Sequence, residues 1–433
     1  MSIYVGILLF FALEYLRPGS YIPALNVLHL NLLVPLWVVA ASLMKQGGPR
    51  NGDVLQETNS KLIIGLLGLV VISVLTGEVT MYAFNVFQNV AGYVAIYWVL
   101  AKQVEDVDQV KGIFKVLIVV HLIVAAMTPE MFIDSSSRTY VVRAGSFLGD
   151  GNDFGLSVLL ALIFCLFLLF EAKKAGGKLL YMGGALALLG MIVATQSRGD
   201  SLALGAVAIY YWFKNDRKII GVALAGLAVV VVVALAPATY FERMNTIQNY
   251  QEDGSAQGRL SAWRAGTNMA LGNPILGVGA GHFPANYTRY SAEPQTRWKT
   301  AHSIYFLTLG ELGFPGLFIL IGIIVSNLVG NWRVAREIWA RNPDARASTE
   351  IRLLATMSAG MLAFAIGGAF LSATYYPHMY VLAGLTVAAR RIVRQRSAAA
   401  ATSTEATAAP GAPGLTLHWA MRGTINPRPP HHA

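Results

Sequence analysis

Residues 258–316 read GRLSAWRAGTNMALGNPILGVGAGHFPANYTRYSAEPQTRWKTAHSIYFLTLGELGFPG. This is the longest polar interruption in a chain that otherwise alternates long apolar runs with short basic connections. Two arginines, Arg259 and Arg264, open the stretch. His302 stands where the next apolar run begins.

Outward from that stretch the composition is that of an integral membrane protein. Of 433 residues, 55% are hydrophobic and 13% charged, and the mean hydropathy is +0.53. A soluble chain of this length carries about 25% charged residues. Apolar runs able to cross about 30 Å of hydrocarbon are expected to be helices, because lipid offers the backbone no hydrogen-bond partner. The fold class expected is therefore an all-α polytopic membrane protein of about twelve spans. They are drawn at 2–16, 21–44, 61–76, 82–101, 113–128, 153–171, 179–196, 199–213, 218–236, 301–329, 353–372 and 375–390. Four regions follow: transmembrane helices over 1–236, a large external loop over 237–300, three further spans over 301–396, and a disordered cytoplasmic tail over 397–433.

Charge bias sets the orientation. Lys45, Lys102, Lys111, Lys173, Lys174, Lys178, Lys214, Arg333, Arg336, Arg341, Arg352, Arg390 and Arg391 fall in one set of connections. By the positive-inside rule that set is cytoplasmic, and both termini join it. It also accounts for the net charge of +10 without nucleic acid as a partner. The first apolar run lacks a basic leader, so no cleavable signal peptide is expected. The single Cys165 allows no internal disulfide.

This orientation makes the remaining basic residues anomalous. Arg138, Arg143, Arg198, Arg259, Arg264 and Arg297 all fall outside, where charge bias gives them no place. Long loops in compact bundles tend to be functional. A short helix is expected over 258–271, with Leu260, Trp263, Thr267 and Met269 on one face, ending at Gly272-Asn273-Pro274. GVGAG (277–281) permits tight turns and close backbone approach but lacks the spacing and lysine of a phosphate-binding loop. The run 301–329 would be about 43 Å long as one helix, so it should either project outward or break near Gly313-Phe314-Pro315-Gly316.

Each chemical candidate has a plain reading beside a functional one. His302 is either an interfacial residue at a helix start or a general base of near-neutral pKa. Arg198, in Thr-Gln-Ser-Arg-Gly-Asp, either closes a turn with Asp200 or grips two phosphate oxygens. Arg259 and Arg264 lie about 140° apart on a helix, so one can hold a phosphate while the other meets solvent. Asp150, Asn152 and Asp153 either cap the sixth span or bond sugar hydroxyls, and Arg138 and Arg143 could attract an anionic acceptor. Glu311 reads as a buried structural partner rather than a base. No HExxH, phosphate-binding loop or paired acidic motif is present, so no metal site and no cofactor are expected. One histidine and several outward arginines suit a reaction whose leaving group is already anionic.

Gly258-Arg259-Leu260-Ser261-Ala262-Trp263, Asn273-Pro274-Ile275-Leu276-Gly277-Val278-Gly279, Ala301-His302-Ser303-Ile304-Tyr305 and Glu311-Leu312-Gly313-Phe314-Pro315-Gly316 together resemble the signature of the O-antigen ligase and polymerase superfamily. Ser303 stands where that pattern usually has Asn. The resemblance implies a glycosyltransferase of the bacterial inner membrane with its site facing the periplasm. Its donor would be a glycan on undecaprenyl pyrophosphate, transferred with inversion. For a lipopolysaccharide O-antigen ligase the acceptor is a hydroxyl of lipid A–core. O-antigen polymerase and protein O-oligosaccharyltransferase share the donor. The resemblance gives His302 the base role and the arginines, Arg198, Arg259 and Arg264 among them, the pyrophosphate role. A lipid-linked glycan flippase is the alternative from another class; it accounts for the spans and arginines but not for the histidine.

Overall fold

The computed structural model describes residues 2–45, 51–128, 148–214, 254–292, 299–342, 345 and 348–408. Arg138, Arg143, Arg297, the span drawn at 218–236 and most of the tail lie outside them. The described residues hold helices and no strand.

The helices are α1 (Ile3–Leu16), α2 (Leu30–Met44), α3 (Thr58–Thr76), α4 (Thr80–Gln103), α5 (Val107–Met127), α6 (Gly151–Glu171), α7 (Ala175–Ala194), α8 (Arg198–Lys214), α9 (Gly254–Gly272), α10 (Phe283–Tyr290), α11 (Ile304–Arg341), α12 (Thr349–Gly367) and α13 (Pro377–Ala408). Among the described residues nine segments are long and apolar enough to cross a membrane. They comprise α1 to α7, α11 and α12, some with a short helical extension. The chain is thus an all-α, multi-pass membrane protein. Helices also stand where spans were drawn at 199–213 and 375–390: α8 has only 17 residues, and α13 carries Arg390 and Arg391 midway along.

The chain divides into two compact units, Met1–Val393 and Arg394–Ala433. In the first, α6 is the central helix, packed by α7, α12 and α5 and buried along most of its length. Its start is fixed by Asp150, whose side chain accepts from Asn152 N at 2.7 Å. By contrast α2 turns Leu32, Leu33 and Leu36 outward, as a helix facing lipid does. In the second unit the described residues are the last turns of α13.

The decisive element is α11. It runs 38 residues but is not one helix, because Gly313 sits at φ 66°, ψ −167°. Pro315 has no N–H to return to Glu311, so the ladder is already weak there. The Phe314 N–H leaves it and donates to Pro274 O at 2.9 Å. The freed carbonyls of Gly310 and Glu311 accept from Val278 N and Gly279 N, each at 2.9 Å. Buried backbone groups must be paired, and here the glycine-rich turn supplies the partners the helix lost. The break falls at the expected Gly313–Gly316, and beyond it the helix continues to Arg341, further than the span drawn.

Above the break, α9 and α10 pack on the first half of α11 around Ala262, Ala265, Met269, Phe283, Tyr287, Ala301 and Leu307. The face expected of α9 needs correction. Met269 points inward with Ala262 and Ala265, while Leu260, Trp263 and Thr267 line the opposite side. Two alanines let α9 approach closely on that side, and the larger side chains are left outside. α9 also starts at Gly254, four residues before the expected 258, and ends at Gly272 as expected.

A Cβ at Gly313 would lie 2.6 Å from Pro274 O in a left-handed backbone. Gly313→Ala is therefore expected to cost about 1–3 kcal/mol or more, read as a lowered thermal unfolding midpoint in detergent. Gly68, whose Cβ position is open, is the control: Gly68→Ala should leave the midpoint unchanged or raise it. Equal midpoints for the two variants would refute the role given to the break.

Candidate active site

His302 is placed by its neighbours. Ala301 and Ser303 are buried and His302 is exposed. Its backbone is left-handed at φ 45°, a region that costs energy for a side chain with a Cβ. Contacts on both sides hold it there. The His302 N–H donates to Ser372 Oγ at 2.9 Å, and Trp263 Nε1–H donates to the carbonyl of Ala301 at 3.1 Å. The ring is thereby turned off the start of α11 at the face covered by α9.

Phe370 collects the other groups. It ends the short turn Gly368–Phe370 after α12. The Arg259 guanidinium carbon lies 5.9 Å from its ring centroid. The Trp263 ring is 6.5 Å from it. On another side a Cβ at Gly199 would come within 3.0 Å of Phe370 Cβ, so the start of α8, with Arg198, abuts the same ring. Arg259 and Gly199, the residue after Arg198, thus lie against one aromatic side chain, and the His302 backbone is bonded to Ser372 two residues further on. Partial burial and then the Arg259 guanidinium hold the His302 imidazole below its ordinary 6.5. Asp150 pulls the other way, and Lys299 adds to the lowering.

A family model described as O-antigen ligase matches residues 183–321, a stretch that includes Arg198, Arg259, Arg264 and His302. Over that stretch the chain is similar to the O-antigen ligase family. This is a family of glycosyltransferase-like membrane enzymes that process O-antigen. No curated protein matches the chain.

The other candidate residues divide between support and surface. Glu311 is 1% exposed. Its carboxylate accepts from Gly281 N and Phe283 N, each at 2.9 Å, and from Tyr375 OH at 2.8 Å. It is the buried structural partner expected, and it clamps the glycine-rich turn to α11. Next to it His282 is buried, with Nδ1–H donating to Ala280 O at 2.9 Å and Nε2 accepting from Val79 N at 3.0 Å. This ties the turn to the α3–α4 corner. Asp150 serves as the cap of α6, and Asp153 accepts from Tyr376 OH at 3.4 Å. Asn152 bonds Asp150 Oδ1 through its amide at 2.7 Å. Asp200 is buried, and neither carboxylate oxygen has a hydrogen-bond partner among the described residues.

Arg264 lies apart from this cluster. With Leu260, Trp263, Thr267, Asn268 and Phe306 it lines an open groove along α9. The angular offset between Arg259 and Arg264 read from the sequence is thus realised: one guanidinium lies against Phe370, the other in the groove.

Residues 368–376 were missed in the sequence. They carry Phe370, Ser372, Thr374, Tyr375 and Tyr376, and they brace the site from below. Thr374 Oγ1 bonds Thr308 Oγ1 at 3.0 Å and donates to Ile304 O at 3.2 Å. The available signal was a run of hydroxyl side chains between two apolar helices.

Glu311→Gln presents an amide to one of two backbone N–H donors. The variant is expected to lose about 1–3 kcal/mol and to exchange amide hydrogens at Gly281 and Phe283 faster, as hydrogen-exchange mass spectrometry of the purified protein would report. Unaltered exchange across 277–283 would remove the clamp role.

Proposed function

We propose that the protein is an O-antigen ligase, moving glycan from undecaprenyl pyrophosphate to a hydroxyl of lipid A–core. The observation that carries the reading is that Arg259 and the start of α8 lie against Phe370, two residues before the Ser372 hydroxyl that holds the His302 backbone. The family match supports glycan chemistry of this kind.

In the proposed step the acceptor oxygen attacks the anomeric carbon while its proton passes to the neutral His302 ring. The bond from that carbon to the pyrophosphate oxygen breaks, and its electron pair leaves on the pyrophosphate. Attack from the opposite side inverts the anomeric centre. Arg259 and Arg198 stabilise the charge on the leaving group, since a guanidinium fork can bind two phosphate oxygens. The N–H groups opening α8 add a favourable field for an anion. Arg259 acts twice. It attracts the diphosphate, and with burial it lowers the His302 pKa. No metal or cofactor is needed for this scheme, and transfer should continue in EDTA.

The proposed setting is the bacterial inner membrane, with this end of the bundle in the periplasm and both termini cytoplasmic. The other end supports that orientation. There Lys45 pairs with Glu105 at 2.6 Å, and Arg352 with Glu171 at 2.6 Å, in connections rich in lysine and arginine. Residues 237–300 would then form a periplasmic loop, with α9 and α10 as its short helices.

His302→Ala is expected to reduce transfer in a purified system by about 10²–10⁴-fold while undecaprenyl pyrophosphate binding stays near normal. Normal transfer by this variant would disprove the base assignment. Deleting the gene should leave long glycan on its carrier and bare lipopolysaccharide. Accumulation of single repeat units would indicate polymerase instead.

The pH profile follows from the charges facing His302. The base works when neutral, so kcat/KM falls as pH drops through the pKa of the free enzyme. That pKa lies below 6.5, and transfer should persist at pH 6.5 and fail at lower pH. Arg259→Gln removes a lowering cause while Asp150 remains, and its acidic limb should move to higher pH whatever the loss in rate. A limb that does not move would separate Arg259 from the base.

A further inference from the structure

The groove along α9 is not used by the chemistry above. Its wall is one helical stripe, Leu260, Trp263, Arg264, Thr267 and Asn268, at positions i, i+3, i+4, i+7 and i+8, closed by Phe306 of α11. It is open, with a volume of about 260 Å³. Trp263 and Phe306 stack with centroids 5.1 Å apart and planes 11° from parallel. They form an apolar floor with Leu260 beside it. Arg264 is exposed at the edge. Asn268 is fixed there by donating to Tyr290 O at 3.0 Å.

We infer that this groove is a glycan subsite, binding a pyranose ring of a substrate chain next to the reacting sugar. The inference rests on the transfer reaction proposed above. A pyranose ring has two characters: a face of C–H groups and a rim of hydroxyls. The C–H face suits the electron-rich rings of Trp263 and Phe306. The hydroxyls suit the donors of Arg264 and the amide of Asn268. Other occupants fit less well. A phosphate would make no use of an aromatic floor. An acyl chain would strip water from a guanidinium and an amide without replacing their hydrogen bonds.

Position supports the assignment. Trp263 holds the carbonyl of Ala301, the residue before the base. Phe306 lies in the first turn of α11, four residues after His302. One wall residue of the groove, Trp263, is therefore bonded to the residue before His302, and the groove runs from there along α9. A glycan whose anomeric carbon lies at His302 would have its next residues on these rings. Arg264 then reads the sugar and Arg259 the diphosphate.

Both the donor glycan and the core acceptor contain pyranose rings, and the test separates them. Full-length protein in nanodiscs is titrated with three probes. These are glycan released by mild acid from the carrier lipid of the source cells, core oligosaccharide freed of lipid A, and bare undecaprenyl pyrophosphate. Arg264→Ala and Asn268→Ala change exposed side chains and should leave the fold intact. Each is expected to weaken binding of one oligosaccharide by about tenfold, with carrier affinity unchanged. The oligosaccharide affected identifies the source. If neither variant weakens either oligosaccharide, the groove is not a glycan subsite, although the diphosphate assignment stands. If Arg264→Ala weakens the bare carrier as much as the glycan, Arg264 is a phosphate ligand and the inference fails. If wild-type protein binds none of the three probes, the transferase reading fails and the subsite with it.

Discussion

The site depends on a helix that gives up its own hydrogen bonds. At Gly313 the α11 ladder opens, and two carbonyls in the interior of a membrane protein need partners. Val278 and Gly279 supply them. Without that exchange the break would leave polar groups in a low-dielectric interior, each at a cost of several kcal/mol. With it, the break becomes the socket into which the outer segment docks. Glu311, next to the opened carbonyls, adds a carboxylate that takes two further backbone N–H groups and a tyrosine hydroxyl. One turn of helix thus grips the 277–283 segment at four backbone points.

That grip sets the geometry at the top of the same helix. α9 leads directly into the docked turn through Asn273 and Pro274, so its height and rotation follow from the socket. Trp263 and Arg259 are then carried to His302 on one rigid element. The left-handed backbone of His302 is held by Ser372 from below and, through Ala301, by Trp263 from above. Strain of this kind persists only where the surroundings fix it. Here it turns the ring outward while both neighbours stay in the core. A base on a flexible loop would lose part of its rate to misplacement.

The outline of this arrangement was legible in the sequence because its parts obey local rules. Apolar run lengths marked the spans. Gly-Phe-Pro-Gly marked the break in α11, since proline and glycine each remove something a helix needs. The five-residue spacing of Arg259 and Arg264 gave their divergence. What stayed hidden was long-range. Nothing local links Phe370 to Arg259 across more than a hundred positions, or Ser372 to the His302 amide. The facing of α9 was misread because a hydrophobicity argument favours burying Leu260 and Trp263. The fold instead buries Ala262 and Ala265, where smallness and close approach outweigh apolar area.

The glycine-rich turn shows the same division within five residues. GVGAG was readable as a place of close backbone approach, but not what it approaches. In the structure the glycines answer to different neighbours. A Cβ at Gly277 would fall 2.4 Å from the carbonyl carbon of Glu311, and one at Gly281 would fall 2.8 Å from Tyr82 O on α4. Both backbones are left-handed as well, at φ 63° and 76°. One glycine therefore admits the turn to the broken helix, and the other admits it to the α3–α4 corner, where His282 accepts the Val79 N–H. The turn is a two-sided joint between elements far apart in the chain. The same joint explains why a segment polar enough to look like a free external loop is a fixed part of the bundle. Between 277 and 283 the polar groups are mostly backbone, and four of those N–H groups are consumed in docking.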